Sequence, residues 1–282
     1  MRWTIRHRTH YTFDHRVVLE PHVVRLRPRS EPGVQLLSFR LAVAPAPVVR
    51  SEHLDAHGNA VTELWFEGAT EALTLETTAV VFRHEINPFG FIPVGEVALL
   101  RGGYSPALAA QLSAYCCPSV DLAPTVVALA RELADAAAAP DRFAAALARR
   151  LHELVAYEVR AEGDARPADV TLSRQRGSCR DLAVLFGACC HAVGLAARFV
   201  SGYAPAVEAA AESSLHAWSE VYLPGGGWRG FDPVEGLAVS GHHIPVAAAG
   251  TAADAAAVIG SYRGDATAAM ETKLEIQPTA RM

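Results

Sequence analysis

The chain has 282 residues, enough for one large domain or two with a substantial core. It is 51% hydrophobic and 20% charged with a formal net charge of -5, a globular composition without the broad basic field that would draw nucleic acid. Its five cysteines include the adjacent pairs Cys116-Cys117 and Cys189-Cys190 and do not form a secreted disulfide pattern; no apolar segment follows the basic N-terminus, and no run of about 18 apolar residues occurs, so a cytoplasmic setting without membrane association is expected.

Residues 3–13 place Trp3, Ile5, His7, Thr9, Tyr11 and Phe13 on one side, with Arg6, Arg8 and His10 among those opposite, the period of two of a β-strand. Residues 17–19 and 23–26 form further short extended pieces separated by Pro21, and 28–33 is a turn-rich break. Leu37, Phe39, Leu41 and Val43 alternate again until Pro45 and Pro47 end the strand. Asp55-Ala56-His57-Gly58-Asn59 reads as a hairpin connection in which Gly58 can take a positive φ, with 61–67 pairing to the strand before it. Leu73, Leu75, Thr77, Ala79 and Val81 share one face of a long strand. About six strands without a helix predict an N-terminal antiparallel, sandwich-like β domain, closed by a Pro- and Gly-rich linker and spanning 1–105. It holds no nucleophile or metal cluster, which makes it a packing or substrate-positioning module.

From Thr125 the period changes to that of helices. Val126, Leu129, Ala130 and Leu133 share a face within 125–139. Asp141 then caps a helix whose buried stripe is Phe143, Leu147, Leu151, Leu154 and Val155, and 163–171 is polar and turn-prone. After Cys179, the residues Leu182, Leu185, Phe186, Cys189 and Val193 line the central helix of the second domain, which Gly194 stops. A strand at 197–203 follows, and then an alanine- and glutamate-rich connection over 205–214. Strands 216–223 and 228–231 are joined by Pro224-Gly225-Gly226-Gly227. A loop over 236–257, a break at Tyr262-Arg263-Gly264 and a last strand at 272–277 complete an α+β domain over 106–282.

Three residues in this second domain carry chemistry. A cysteine at a helix start meets unpaired N–H groups and a partial positive charge, both of which favour a thiolate. Cys179 holds that position, and an imidazolium from His216 would pair with its sulfur. Asp232, at the end of the strand after the His216 strand, can orient the histidine, because neighbouring antiparallel strands lie about 4.8 Å apart. The backbone N–H of Cys179 offers an oxyanion donor, and the Gln175 amide is the candidate for a second. Trp218 shares the strand face of His216, as a wall of the site or as core. Asp181, in the first turn of the helix, is expected to cap it or form a salt bridge, and Cys189 and Cys190 to fill core. His242-His243 could suggest a metal pair, but with Asp232 assigned to His216 no metal and no cofactor is expected.

The runs Arg176-Gly177-Ser178-Cys179-Arg180-Asp181-Leu182-Ala183, Ala196-Ala197-Arg198-Phe199-Val200-Ser201-Gly202-Tyr203, His216-Ala217-Trp218-Ser219-Glu220-Val221-Tyr222 and Gly227-Trp228-Arg229-Gly230-Phe231-Asp232-Pro233 closely resemble the bacterial transglutaminase-like family of the papain-like cysteine enzyme superfamily. Tyr11, Arg25-Leu26-Arg27-Pro28 and Asp55-Ala56-His57-Gly58-Asn59 are similar to the β domain that precedes the catalytic domain in those proteins. The resemblance implies Cys179 as nucleophile, His216 as base and acid, and Asp232 as its orienting partner. It further implies acyl transfer at a peptide or carboxamide bond of a peptide or protein, with water or an amine as acceptor. Leu182 stands where the family often has a bulky aromatic, a change of packing rather than of chemistry. Protein cross-linking is an alternative outcome of the same first step. A peptide-binding module without catalysis and a small zinc hydrolase using His242, His243 and a carboxylate are the competing classes.

Overall fold

The computed structural model describes residues 1–93, 103–116, 122–137, 139–160, 163–204 and 215–279. The first part of the chain forms β1 (Arg2–Leu19), β2 (His22–Val24), β3 (Val34–Ala44), β4 (Val49–Leu54), β5 (Ala60–Trp65) and β6 (Ala69–Arg83). The helical part holds α1 (Pro106–Gln111), α2 (Ser113–Cys116), α3 (Pro124–Ala136), α4 (Pro140–Leu154), β7 (Ala156–Tyr157), α5 (Ala168–Arg174), β8 (Arg176–Gly177) and α6 (Cys179–Ala192). Then come β9 (Ala197–Tyr203), β10 (Leu215–Leu223), β11 (Gly227–Asp232), β12 (Leu237–Ala238), β13 (Ile244–Ala249), β14 (Val258–Ile259), β15 (Tyr262–Arg263) and β16 (Ala268–Pro278).

Two antiparallel sheets make the N-terminal unit. One runs β15-β1-β6-β3 with β16 also on β1, and the other runs β14-β2-β5-β4. Phe13, Val17, Leu19, Leu41, Leu73 and Leu75 from the first meet Val24 and Leu64 from the second in one core, so the sheets form a sandwich. Alternation in β6 works as expected: Leu73, Leu75, Thr77, Ala79 and Val81 are all buried. In β3 it fails at one point, because a bulge between Leu36 and Ser38 leaves Leu37 exposed. β5 pairs not with β3 but with β2 and β4, and β4 is an edge strand exposed along its whole length and therefore without an apolar period. Asp55 closes that hairpin by accepting the N–H groups of His57 and Asn59, with Gly58 at φ 73°.

The expected split at 105/106 does not hold for the end of the chain. β14 pairs with β2, β15 with β1, and β16 with β1 from Phe13–Ala268 to Trp3–Pro278, so the last three strands complete the N-terminal sandwich. Period two identifies β16 as a strand, but nothing local names a partner more than 250 residues away.

The middle of the chain is an α+β unit with a sheet ordered β12-β11-β10-β9-β13. Helix α6 lies against β10 and β9, and Leu182, Leu185, Phe186, Cys189 and Cys190 join Phe143, Leu147 and Leu151 of α4 and Val221 and Phe231 of the sheet. Cys189 and Cys190 are thus core, and burial pushes the Cys189 thiol up to about 12. Pro140 opens α4 at its first turn, where a missing N–H costs nothing. The N-cap is Ala139, and Asp141 sits inside the first turn rather than capping it. The stretch 163–171, expected as turn, gives way to α5 at Ala168.

Strand β13, expected within a loop, is buried at every residue. It pairs with β9 and packs Ile244 and Val246 against Ile5, Ala79 and Val81 of the N-terminal unit. Polar links run across the same seam: Asn59 bonds both ways with the Ala248 backbone, His7 Nδ1 lies 3.1 Å from Tyr203 Oη, and Arg83 Nη2 donates to Ser240 O at 2.8 Å. Among the described residues no helix is long and apolar enough to cross a membrane. The 205–214 connection and Cys117 lie outside the described residues.

Candidate active site

The start of α6 is built to hold one geometry. Gln175 ends α5 in the left-handed conformation at φ 49°, which turns the chain into β8 and then into Ser178, the N-cap. Asp181 reaches back so that Oδ2 accepts the Ser178 backbone N–H at 2.9 Å and the Ser178 hydroxyl at 3.0 Å. Its Oδ1 accepts Arg160 Nη2 at 2.6 Å and the Arg166 N–H at 2.7 Å. Burial would raise the Asp181 carboxyl, but these donors and the Arg160 charge hold it below its ordinary value. Asp181 is completely buried and both caps the helix and forms a salt bridge, as expected for it. Cys179 is therefore the first residue of a helix whose entry is locked, beneath a small cluster of Ala183, Phe199, Ala217 and Ala247.

His216 comes from β10, which is tied to α6 by a 2.7 Å bond from Ser219 Oγ to the Ala183 carbonyl. The ladder between β10 and β11 ends at Ser219–Phe231, so His216 lies beyond the paired residues and reaches Asp232 across the splayed strand ends rather than directly opposite it. Its Nε2 is 2.6 Å from Asp232 Oδ2, which leaves Nδ1 for the Cys179 sulfur. Burial would lower the imidazole, but hydrogen bonds to Asp232 and Cys179, together with their charges, push it up to about 10. Burial likewise works against the Asp232 anion, yet its hydrogen bonds to His216 and His243 keep it well below the usual carboxylate range. The structure thus brings Cys179, His216 and Asp232 together.

Trp218 is buried, with its ring 6.2 Å from that of His216 and 5.0 Å edge-on from that of His243. It is core and also backs the site. Gly202 allows this packing, because a Cβ there would stand 2.5 Å from the Trp218 ring and closer still to the Ile244 carbonyl oxygen. Gln175 is exposed, and no described hydrogen bond joins its side chain to the site.

His243 is the residue that sequence reasoning left aside. Completely buried at the entry to β13, it puts Nε2 2.9 Å from Asp232 Oδ2. Beside it, His242 Nε2 is 3.1 Å from Glu235 Oε1 and His242 Nδ1 is 3.2 Å from Ser240 Oγ. One donor atom from each of Glu235, His242 and His243 lies within 4.8 Å of the others, as does one from each of His216, Asp232 and His243. The adjacent histidines were a signal in the sequence, but their partners at 232 and 235 are supplied by the return of the chain through β12.

A family model described as the transglutaminase-like superfamily matches residues 127–233, and one described as the bacterial transglutaminase-like N-terminal region matches 3–82. The two matches follow one another along the chain and each covers its own part of it. The transglutaminase-like match ends one residue after Asp232, and the N-terminal match covers β1 to β6 almost entirely. An uncharacterized protein of Mycobacterium tuberculosis is 26% identical over 264 residues, covering 87% of this chain and 82% of its own. One of Mycobacterium leprae is 24% identical over 286 residues, covering 97% and 98%. Among solved structures, a candidate cysteine protease from Cytophaga hutchinsonii superposes with a TM-score of 0.73 at 22% identity, covering all of this chain and 92% of its own. The likeness extends over both units, so this transglutaminase-like chain has a papain-like α+β core with an N-terminal β unit.

Proposed function

We propose that this transglutaminase-like protein is a cysteine hydrolase that cleaves a peptide or carboxamide bond of a peptide or protein through a thioester on Cys179. The observation that carries the reading is the placement of one imidazole, His216, between the Cys179 thiol and the buried Asp232 carboxylate at 2.6 Å. Among the described residues Cys179, Cys189 and Cys190 form no disulfide, which suits the reducing cytoplasm expected for the chain.

The steps follow from this placement. With the proton on His216 and held there by Asp232, Cys179 attacks as thiolate, forming a C–S bond and a tetrahedral oxyanion. The Cys179 backbone N–H, at the first turn of α6 and without a helical partner, faces the developing charge. Gln175 is the proposed second donor, through rotation of its exposed amide. His216 gives its proton to the leaving amine as the C–N bond breaks, leaving the acyl group on sulfur. Neutral His216 then takes a proton from water, the hydroxide adds to the thioester carbonyl, and collapse releases the acid and restores the thiolate–imidazolium pair.

Mass spectrometry of a peptide library incubated with and without a primary amine tests this reading. Shortened peptides signal proteolysis and a gain of about 1 Da signals deamidation, either of which supports hydrolysis. An amine adduct in place of these products would assign the thioester to cross-linking instead. No product, together with equal alkylation rates at Cys179 in wild type and His216→Ala, would overturn the enzyme reading.

A further inference from the structure

Asp232 is held by more than His216. Its Oδ1 accepts the backbone N–H groups of Val234 at 2.8 Å and Glu235 at 3.4 Å, and its Oδ2 is shared by His216 Nε2 at 2.6 Å and His243 Nε2 at 2.9 Å. The second imidazole is completely buried, edge-on to Trp218 and 4.4 Å from the His242 ring. Its Nδ1 is buried without a hydrogen-bond partner. That asymmetry fixes its proton. A hydrogen on Nε2 has the Asp232 carboxylate as acceptor, whereas a hydrogen on Nδ1 would be a buried donor with none. His243 is accordingly a neutral donor, in keeping with the lowering that burial imposes on it.

We propose that His243 is a positioning residue for the Cys179–His216 reaction, a neutral second imidazole that pins the Asp232 carboxylate and tempers its pull on the His216 proton. The proposal rests on the reading of Cys179, His216 and Asp232 given above. Two consequences follow from the geometry. With both oxygens engaged, the carboxylate cannot swing away from His216 during the proton transfers. The Nε2–H dipole also points its positive end at Oδ2, the oxygen that His216 uses, so it weakens the hold of Asp232 on the His216 proton. An imidazolium pushed up to about 10 is a poor acid near neutral pH, and tempering it favours protonation of the leaving amine. Support for His243 comes from the other unit: Arg83 of β6 donates to the Ser240 carbonyl, which also accepts the His243 backbone N–H at 3.4 Å.

The ionisable groups around this centre come from several elements. Cys179 from α6 and Tyr157 from β7 face the His216–Asp232 pair, and Glu235 and His242 face His243 and Asp232 from the turn after β11 and the loop before β13.

The test uses the full-length protein as wild type, His243→Gln, whose amide retains a donor near Nε2, and His243→Leu, which keeps bulk without a donor; His243→Asn, too short to reach Asp232, replaces the leucine variant if that one does not fold. Histidine 15N NMR against pH reads the His243 tautomer and the His216 midpoint, and peptide hydrolysis reads turnover and KM. Expected are an Nε2–H tautomer at His243 in wild type, and in the donor-less variant a His216 midpoint about half a pH unit higher. Turnover should fall about 10- to 100-fold at constant KM, and glutamine should restore both. An unprotonated Nε2, or an unshifted midpoint in a folded donor-less variant, would overturn the proposal. So would stoichiometric divalent metal lost on His243→Gln, since a metal on Nε2 displaces the donor. Because the NMR readouts need no substrate, a protein without hydrolytic activity would refute the proposed function yet still decide whether His243 governs Asp232 and His216.

Discussion

Among the described residues two aspartates are completely buried, Asp181 at the first turn of α6 and Asp232 at the end of β11, and their surroundings differ in kind. Asp181 is surrounded by donors that never change charge near neutral pH: a backbone N–H on either side, the Ser178 hydroxyl, and the Arg160 guanidinium. Asp232 faces two imidazoles, whose protons can leave. Both carboxyls are held below their ordinary range, so a lowered pKa alone does not mark a site of reaction. What separates them is whether their partners titrate. Asp181 fixes where Cys179 stands, and Asp232 acts on the state of the group that meets it.

The sharpest way to break this contrast is to exchange the losses. Asp232→Asn should leave a folded protein whose kcat/KM for peptide hydrolysis falls by about 10³-fold or more, because a carboxamide carries no charge to hold the imidazolium and can turn its NH2 toward His216, which selects the wrong tautomer. Asp181→Asn should instead cost stability, about 3 kcal/mol, by leaving a buried amide against Arg160 and the Ser178 and Arg166 donors. Urea titration and hydrolysis on both variants check this, and a reversed pattern would merge the two sites. Next in size is Gly202→Ala, which drives a methyl into Trp218 behind the two histidines; about 1–3 kcal/mol of stability should be lost, read by thermal melting, together with activity.

A smaller effect lies in pH. The folded pKa of His216 is raised from about 6.5 to about 10, so its contribution to stability is complete below about 6.5 and is lost as pH rises through about 10. Asp232 has a depressed folded pKa, so its contribution is present above about 3.9 and is lost as pH falls. Urea midpoints between pH 6 and 10.5 should fall with pH in wild type and lose that slope in His216→Ala. Smallest of all, Arg6→Ala removes a 3.9 Å ion pair with Glu275 on the exposed surface and should leave the melting temperature unchanged.

That Cys179, His216 and Asp232 lie close together was legible in the sequence because each sits at a local landmark: a helix start, an alternating strand, and the Asp-Pro that ends the next strand. His243 was not. Its significance depends on Asp232, eleven residues earlier, and the strand that brings it there, β13, reads Ile-Pro-Val-Ala-Ala-Ala without alternation because every residue is buried. The sandwich was legible from period two in β1, β3 and β6, whereas β4 gave no apolar signal as an exposed edge and β16 no hint of its partner. Long-range pairing leaves no trace in local pattern, and here it decides both the domain boundary and the second donor on Asp232.

The pairing of β16 with β1 makes the α+β unit an insertion within the β sandwich, with strands of the host on either side of it in the chain. Both of its connections are thereby anchored, and the host sheet can close only after residue 278 has emerged from the ribosome. Such closure joins the most distant segments of the sequence and belongs late in folding. Arg83, which supports the loop carrying His243, ends β6 next to the strand that β16 must find. Order of synthesis would then become order of assembly, with the loop that carries His243 gaining its last support only once the sandwich is shut.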